Sequence, residues 1–277
     1  MNDFKINSLT SRVTRITAPC GEMMYLLEGS EKAVLIDSGL GFGSLLEAVR
    51  ELTQKPVILL LTHGHVDHAM GAEEFGEVWM SPLDREIFLR HSDLSVRKNE
   101  LAISPLAKRG ADWTIQPAAD PARFHPLEDG SRFDLGGVTL ETFPCPGHTP
   151  GSMVFLCPEE RILFSGDAFS NSTLLLDPAA PTVEEYLETL LALAPRLAGR
   201  FDRVLEAHTT GELPPDILEG VIAVCREVLR GESQRILCEF RGLSGVFAKK
   251  QDPVTLGRAD GGVGNLLYDE NRLYRKK

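Results

Sequence analysis

With 277 residues, 43% of them hydrophobic, the chain has the length for one large domain or two small ones and the apolar content for a full core, and its composition excludes a disordered chain. A formal net charge of −11 and a pI near 5.2 argue against a polyanion as the main partner, because nucleic-acid surfaces are built on basic patches. The segment Met1-Asn2-Asp3-Phe4-Lys5 lacks the basic-then-apolar order of an export signal and no run of about 18 apolar residues occurs, so the expectation is a soluble cytoplasmic protein with no membrane span.

In chain order, residues 23–27 and 33–36 flank Glu28-Gly29-Ser30-Glu31-Lys32 and predict a hairpin. Residues 45–52 have helical spacing and precede the unbroken apolar run 57–61, which predicts a buried strand. Ser81-Pro82-Leu83-Asp84 opens the next helix, with Ser81 as N-cap and Pro82 in the first turn. Between 92 and 126 the pattern is mixed, and the stretch around Trp113 predicts a surface excursion. A strand-rich part follows from 124 to 164, with strands at 138–143 and 161–164 and turns at Asp129-Gly130 and Gly136-Gly137. Residues 183–197 and 217–229 predict amphipathic helices on either side of a strand at 203–207, and strand-like pieces recur around 235–240 and 265–268. The two halves repeat a rhythm of hairpins followed by a helix, which fits two sheets stacked face to face with helices outside, within a single domain. Residues 82–126 and 212–277 are the segments expected to shape a substrate pocket. Five cysteines, odd in number and never spaced C-x-x-C, read as reduced and mostly buried thiols; Cys145, three residues before His148, reads as a small core residue.

Polar residues gather where the predicted strands end. Thr62-His63-Gly64-His65-Val66-Asp67-His68 packs four metal-capable side chains into six residues directly after the 57–61 strand. Alternate residues of an extended backbone face the same side, so His63 and His65 can grip one ion, while Asp67 and His68 fall at the turn and can reach a second. Pro146-Gly147-His148-Thr149-Pro150 holds one histidine in a rigid turn, Ser165-Gly166-Asp167 ends the next strand, and Glu206-Ala207-His208 ends another. His91 and His125 have no such setting and read as surface residues. Five histidines and two aspartates supply two ions with three terminal ligands apiece and one shared carboxylate. Imidazole and carboxylate without thiolate suit two zinc ions first, with iron, manganese or nickel as alternatives. Two such ions can hold a bridging hydroxide and stabilise an oxyanion, which is hydrolysis without a protein nucleophile.

The ordered series Leu35-Ile36-Asp37-Ser38-Gly39, His63-x-His65-x-Asp67-His68, Gly147-His148-Thr149-x-Gly151-Ser152, Ser165-Gly166-Asp167 and His208 resembles the metallo-beta-lactamase-fold hydrolase superfamily over residues 12 to about 210. The resemblance implies an α/β (α+β) fold, a four-layer αββα sandwich with the metal site at one edge of the sheets. It further implies that His63, His65 and His148 bind the first metal, that Asp67, His68 and His208 bind the second, and that Asp167 bridges. Asp37 matches the family's aspartate near the site, a support that holds a ligand rather than the ion; a turn-forming aspartate is the other reading.

Departures from better-known branches narrow the expected activity. Asp167 stands where the periplasmic beta-lactamases carry a cysteine, and His65 where the flavodiiron branch carries glutamate. The series is most similar to the thioesterase, glyoxalase II-like and lactonase branches, although Ala207-His208-Thr209 replaces the usual Gly-His-Gly and the tail lacks the all-helical pattern of a glutathione-binding domain. A dinuclear hydrolase of a small ester, thioester or lactone is expected, with Asp67 also serving as a catalytic proton acceptor. The alternatives are a mononuclear iron enzyme resembling the persulfide dioxygenases and a non-catalytic metal-binding protein of the same fold. Gly261-Gly262-Val263-Gly264 before Leu266-Leu267-Tyr268 suits a segment that approaches a ligand, making Tyr268 a candidate substrate contact; a turn and an edge strand are the plainer reading.

Overall fold

Short apolar runs in the first half of the chain become the strands β1 (Lys5–Ser8), β2 (Val13–Thr17), β3 (Met23–Glu28), β4 (Ala33–Ile36), β5 (Val57–Leu60), β6 (Val78–Met80) and β7 (His125–Pro126), paired in that order in one seven-stranded sheet. The computed structural model describes residues 4–104, 114–253 and 256–276; Trp113, expected in a surface excursion, lies outside them. Its chain divides into two compact units, Met1–Thr142 and Phe143–Lys277.

In the first unit β1 to β4 form an antiparallel meander, and from β4 onward the pairing is parallel. The crossover between β4 and β5 is helix α1 (Leu45–Leu52), as its spacing predicts. Ser44 caps it by accepting from the Glu47 amide, and the Glu74 carboxylate accepts from the Leu45 amide at 2.9 Å, so the orphan donors of the first turn are satisfied. The expected hairpin is β3–β4, with Glu28 opposite Ala33. After β5 come the single turn α2 (Val66–Ala69) and, behind Ser81 and Pro82, helix α3 (Arg85–His91). The core of this unit gathers Ile16, Leu26, Leu35, Leu59, Met70 and Phe88.

Residues 92–126 are more regular than the mixed pattern suggests. Helix α4 (Leu94–Ile103) occupies the start of this stretch, and the one side chain it buries among the described residues is charged: Arg97. The Arg97 guanidinium donates to the carbonyls of Leu40 (3.1 Å), Gly41 (3.0 Å) and Gln116 (2.6 Å), tying two loops to one helix. An apolar stripe is therefore missing from α4, which hides it from a hydrophobic-period reading. Phe124 stacks edge-on against Phe88 at 5.2 Å and packs against the core.

A hairpin of β8 (Arg132–Asp134) and β9 (Thr139–Pro144) leads to the second unit, where β10 (Met153–Cys157) pairs antiparallel with β11 (Ile162–Gly166). Strand β12 (Thr173–Leu175) follows, and β13 (Arg203–Glu206) pairs in parallel with β11. Helix α5 (Val183–Leu197) begins with a full capping box between Thr182 and Glu185, and α6 (Ile217–Leu229) has the bounds its spacing predicts. The second sheet runs β13-β11-β10-β9-β8, and strands β14 (Ile236–Phe240), β15 (Leu243–Phe247) and β16 (Leu266–Tyr268) join β12 in a third, in the order β12-β16-β15-β14. Every residue of β10 and β11 is buried, and Val154, Leu156 and Leu163 join α5 and α6 in this unit's core. No helix among the described residues is long and apolar enough to cross a membrane.

Gly264 and the Val263 carbonyl pack against α6. A Cβ on Gly220 in α6 would lie 2.4 Å from the Val263 carbonyl oxygen, and one on Gly264 (φ +77) would lie 2.7 Å from the Val221 nitrogen. Backbone thus meets backbone here. Inside a helix, Gly→Ala ordinarily gains about 1 kcal/mol; at Gly220 the overlap reverses the sign, and Gly220→Ala is expected to lose roughly 1–3 kcal/mol. Urea unfolding monitored by circular dichroism measures it, and a midpoint raised by the substitution would show that the close approach carries no constraint.

Candidate metal centre

The strand ends of the first unit are organised around buried carboxylates. Asp37 follows β4 with φ +63, a left-handed conformation that aspartate tolerates better than most residues, and its side chain is 4% exposed. Its Oδ1 accepts from the Thr62 amide at 2.7 Å, the Thr62 hydroxyl lies 2.8 Å from Oδ2, and His68 Nδ1 lies 2.8 Å from Oδ2. Asp37 thus holds His68, a candidate ligand. Thr62 transmits the same control to His63. Its hydroxyl donates to Asp37 and so accepts from His63 Nδ1–H at 3.0 Å, which leaves His63 Nε2 as the ring's lone-pair nitrogen. His68 is fixed in the same tautomer by Asp37. A second buried carboxylate, Asp84, accepts from the Gly64 amide at 2.8 Å and anchors the backbone between His63 and His65.

Within this unit the candidate ligands are spaced as chelating pairs. His63 Nε2 lies 3.1 Å from His65 Nδ1, and His68 Nε2 lies 3.9 Å from Asp67 Oδ1. Two ligands on one tetrahedral zinc, each bonded at about 2.0–2.1 Å, stand roughly 3.3 Å apart. The donor atoms therefore fit an ion, and the imidazole tautomers present lone pairs rather than protons to it.

The second unit carries the other three candidates on turns of the same kind. Gly147 lets the turn around His148 press onto Tyr186, since a Cβ there would fall 2.4 Å from the tyrosine ring. Tyr186, fully buried in α5, donates its hydroxyl to the Ala168 carbonyl at 2.6 Å, so one side chain supports both the His148 turn and the Asp167 turn. His148 Nδ1 lies 2.9 Å from the Leu174 carbonyl oxygen, which fixes the proton there and frees Nε2. Asp167 Oδ2 stands 3.7 Å from His148 Nε2 and 3.3 Å from His208 Nε2, so one carboxylate oxygen lies within chelating distance of both histidines. Behind His208, Glu206 is 2% exposed with the Thr209 hydroxyl against it, and burial pushes its carboxyl up to about 7.

Other expectations fare differently. Tyr268, a candidate substrate contact, is 2% exposed in the core of the second unit, with its hydroxyl 3.3 Å from Ser233 Oγ. Cys145 is fully buried, and desolvation pushes its thiol up to about 12, so it is an inert core residue. His125 is exposed and stacks on Trp79 at 4.7 Å. His91 differs from the surface residue expected: it is half-buried, its ring stacks on His65 with centroids 4.6 Å apart, and its Nδ1 accepts from the Val66 amide at 3.2 Å. Thr62, Asp84 and Tyr186 were not singled out from the sequence, and His91 was given no role there. Only Thr62 carried a signal, its place at the head of the histidine motif; the others act across 18 to 25 residues of chain.

Comparison with known proteins agrees with this geometry. The family model of the metallo-beta-lactamase superfamily matches residues 17–201. A human acyl-coenzyme A thioesterase, MBLAC2, is 28% identical over 205 residues, covering 67% of this chain and 72% of that protein. The hydroxyacylglutathione hydrolase GloC of Haemophilus influenzae is 30% identical over 157 residues, covering 55% of this chain and 68% of that protein. Among solved structures, a metallo-beta-lactamase from Pontibacter korlensis matches with a TM-score of 0.58 and 18% identity, over 81% of this chain and 99% of that one. The sec-alkylsulfatase Pisa1 from Pseudomonas sp. matches with a TM-score of 0.62 and 15% identity, over 82% of this chain and 42% of that one. Strand-end histidines with their supporting carboxylates, a family match over two-thirds of the chain and the shared fold agree: the chain belongs to the metallo-beta-lactamase superfamily and has its α/β fold.

Proposed function

We propose that the protein is a dinuclear metal-dependent hydrolase of a small thioester, with two zinc ions held by His63, His65 and His148 and by Asp67, His68 and His208, and with Asp167 shared between them. The observation that carries this reading is the position of Asp167 Oδ2, within 3.7 Å of one histidine assigned to the first ion and 3.3 Å of one assigned to the second. A thioester is favoured over a simple ester or lactone because relatives with different lengths of match are an acyl-coenzyme A thioesterase and a hydroxyacylglutathione hydrolase. The tail here holds one helix and strands β14 to β16, so the glutathione part of the latter substrate is not carried over.

Bound zinc would supply Lewis acidity toward the substrate carbonyl and lower the pKa of a water molecule near neutrality. The chain's own residues supply the rest. Asp37 and the Leu174 carbonyl hold His68 and His148 with Nε2 unprotonated, so neither ring must lose a proton to ligate. Asp67, partly exposed at the start of α2, is the carboxylate that would accept the proton of the attacking water. With seven protein ligands and no cysteine among them, the substrate's thiolate leaving group meets no competing sulfur ligand.

Asp37→Asn tests the ligand support. It leaves the side chain's shape, removes the acceptor that fixes the His68 tautomer, and is expected to weaken zinc affinity by about 10–100-fold, read by competition with a chromophoric chelator; unchanged affinity would reduce Asp37 to a turn residue. Stoichiometry tests the shared carboxylate: wild-type protein should bind two zinc ions per chain by elemental analysis, and Asp167→Ala should lower occupancy at both sites. A wild-type protein that saturates at one ion would sink the two-metal reading. The chemistry itself is tested by turnover of an acyl thioester under strict anaerobiosis. Zinc-loaded protein should hydrolyse it equally well with and without air, and Asp67→Asn should reduce turnover by roughly 100-fold or more. Activity that appears only with iron and consumes oxygen would assign the chain to oxygenase chemistry instead.

A further inference from the structure

Helix α2 carries Asp67 and His68, and its first turn has a donor that the helix cannot satisfy. Val66 is the first helical residue and is 2% exposed, while the preceding residue, His65, makes no side-chain cap. A buried amide without an acceptor costs about 1–3 kcal/mol. The acceptor comes from 25 residues further on: His91 Nδ1, at the last residue of α3, lies 3.2 Å from the Val66 nitrogen. Because Nδ1 accepts, the His91 proton sits on Nε2 and the ring is neutral in this arrangement. The same ring lies over His65, with centroids 4.6 Å apart and planes 29° apart. His65 in turn meets His63 nearly edge-on, its Nδ1 facing His63 Nε2 at 3.1 Å.

We propose that His91 is a positioning residue for the metal centre, acting through two separable contacts: its ring face sets the plane of His65 so that Nδ1 is the ligating nitrogen, and its Nδ1 caps α2 and so sets Asp67 and His68. The inference rests on the two-zinc reading above and adds an assignment of its own. With Nδ1 taken by the Val66 amide and the proton on Nε2, His91 in this role offers no lone pair to either ion. Stacking serves the first ion, which His65 holds, and capping serves the second, which Asp67 and His68 hold. A residue that merely filled space would not divide its effects in this way.

Two substitutions separate the contacts. His91→Phe keeps a flat ring over His65 and loses the acceptor; His91→Gln offers an amide oxygen to Val66 and loses the ring. Full-length protein is titrated with Zn2+ against a chromophoric chelator, and the ligating nitrogens are read from histidine 15N shifts of the zinc-loaded protein. For His91→Phe the second zinc affinity is expected to fall about tenfold or more while the first is retained and His65 still ligates through Nδ1. For His91→Gln the pattern inverts: the first zinc affinity falls by a similar factor and the His65 Nδ1 signal broadens or moves to Nε2, while the second is retained. His91→Ala, lacking both contacts, should lose on both. Equal losses in Phe and Gln variants, or wild-type affinities and shifts in both, overturn the proposal while leaving a wild-type stoichiometry of two intact. A wild-type protein that binds fewer than two ions fails differently, removing the two-metal reading and this role with it. A variant that unfolds is recognised by circular dichroism, and the other variant still decides.

Discussion

A carboxylate taken out of water costs several kcal/mol unless donors surround it, and the first unit is arranged around meeting that requirement at Asp37. Two oxygens that are almost wholly buried face the Thr62 amide, the Thr62 hydroxyl and His68 Nδ1. The left-handed backbone at Asp37 costs about 1–3 kcal/mol, which the charge-assisted bonds, each worth about 1.5–3 kcal/mol, offset. Satisfying this one group also decides the tautomers of His63 and His68. The chemical readiness of two ligands is therefore a by-product of pairing a buried charge.

The same logic runs through the neighbouring groups. Asp37 satisfies the Thr62 amide, Asp84 the Gly64 amide and His91 the Val66 amide, so the segment that leads from β5 into α2 has these backbone donors answered from three separate parts of the chain. A loop fixed in this way cannot easily relax its histidines. Preorganisation of that kind is what a ligand set needs, because a side chain displaced by an ångström no longer meets the ion. In the second unit Tyr186 has the corresponding part. Its ring and hydroxyl set the turns of His148 and Asp167, and its complete burial explains why a glycine must face it.

Much of this was legible from residue patterns. Apolar runs ending in Gly, His and Asp marked β5, β11 and β13, and the spacing of residues 183–197 and 217–229 gave α5 and α6 with their bounds. What escaped was whatever depends on contacts distant in sequence. Helix α4 is hidden because it buries an arginine that caps carbonyls instead of an apolar stripe. His91 read as a surface residue because nothing near it in sequence reveals that its ring meets His65. Tyr268 suggested a ligand contact by lying beside glycines, yet Gly264 answers to the backbone of α6 and the tyrosine is buried in the core. Local pattern reports which residues can do chemistry; it is silent on which of them are held.

The way distant residues are held is the same in both units, and it follows from strand pairing. β4 and β5 are parallel with Ile36 beside Leu60, so the residues that leave the two strands emerge at one edge, and Asp37 meets Thr62 although 25 residues separate them. β11 and β13 are parallel with Gly166 beside Glu206, so Asp167 emerges next to His208 in turn. An antiparallel pair could not do this with both strand ends, since neighbouring ends then point in opposite directions. In each unit a parallel step therefore delivers an aspartate from one strand to a histidine from the next or just beyond it, supporting the ring in the first case and standing at chelating distance from it in the second. The glycine at 166, with φ +49 at a register shift, gives the second aspartate its outward turn where the first uses the strained backbone of Asp37 itself. Chemistry placed at such edges depends on register more than on loop sequence. That dependence accounts for a ligand series that stays readable in this chain while the turn around its last histidine, Ala207-His208-Thr209, departs from the usual glycines.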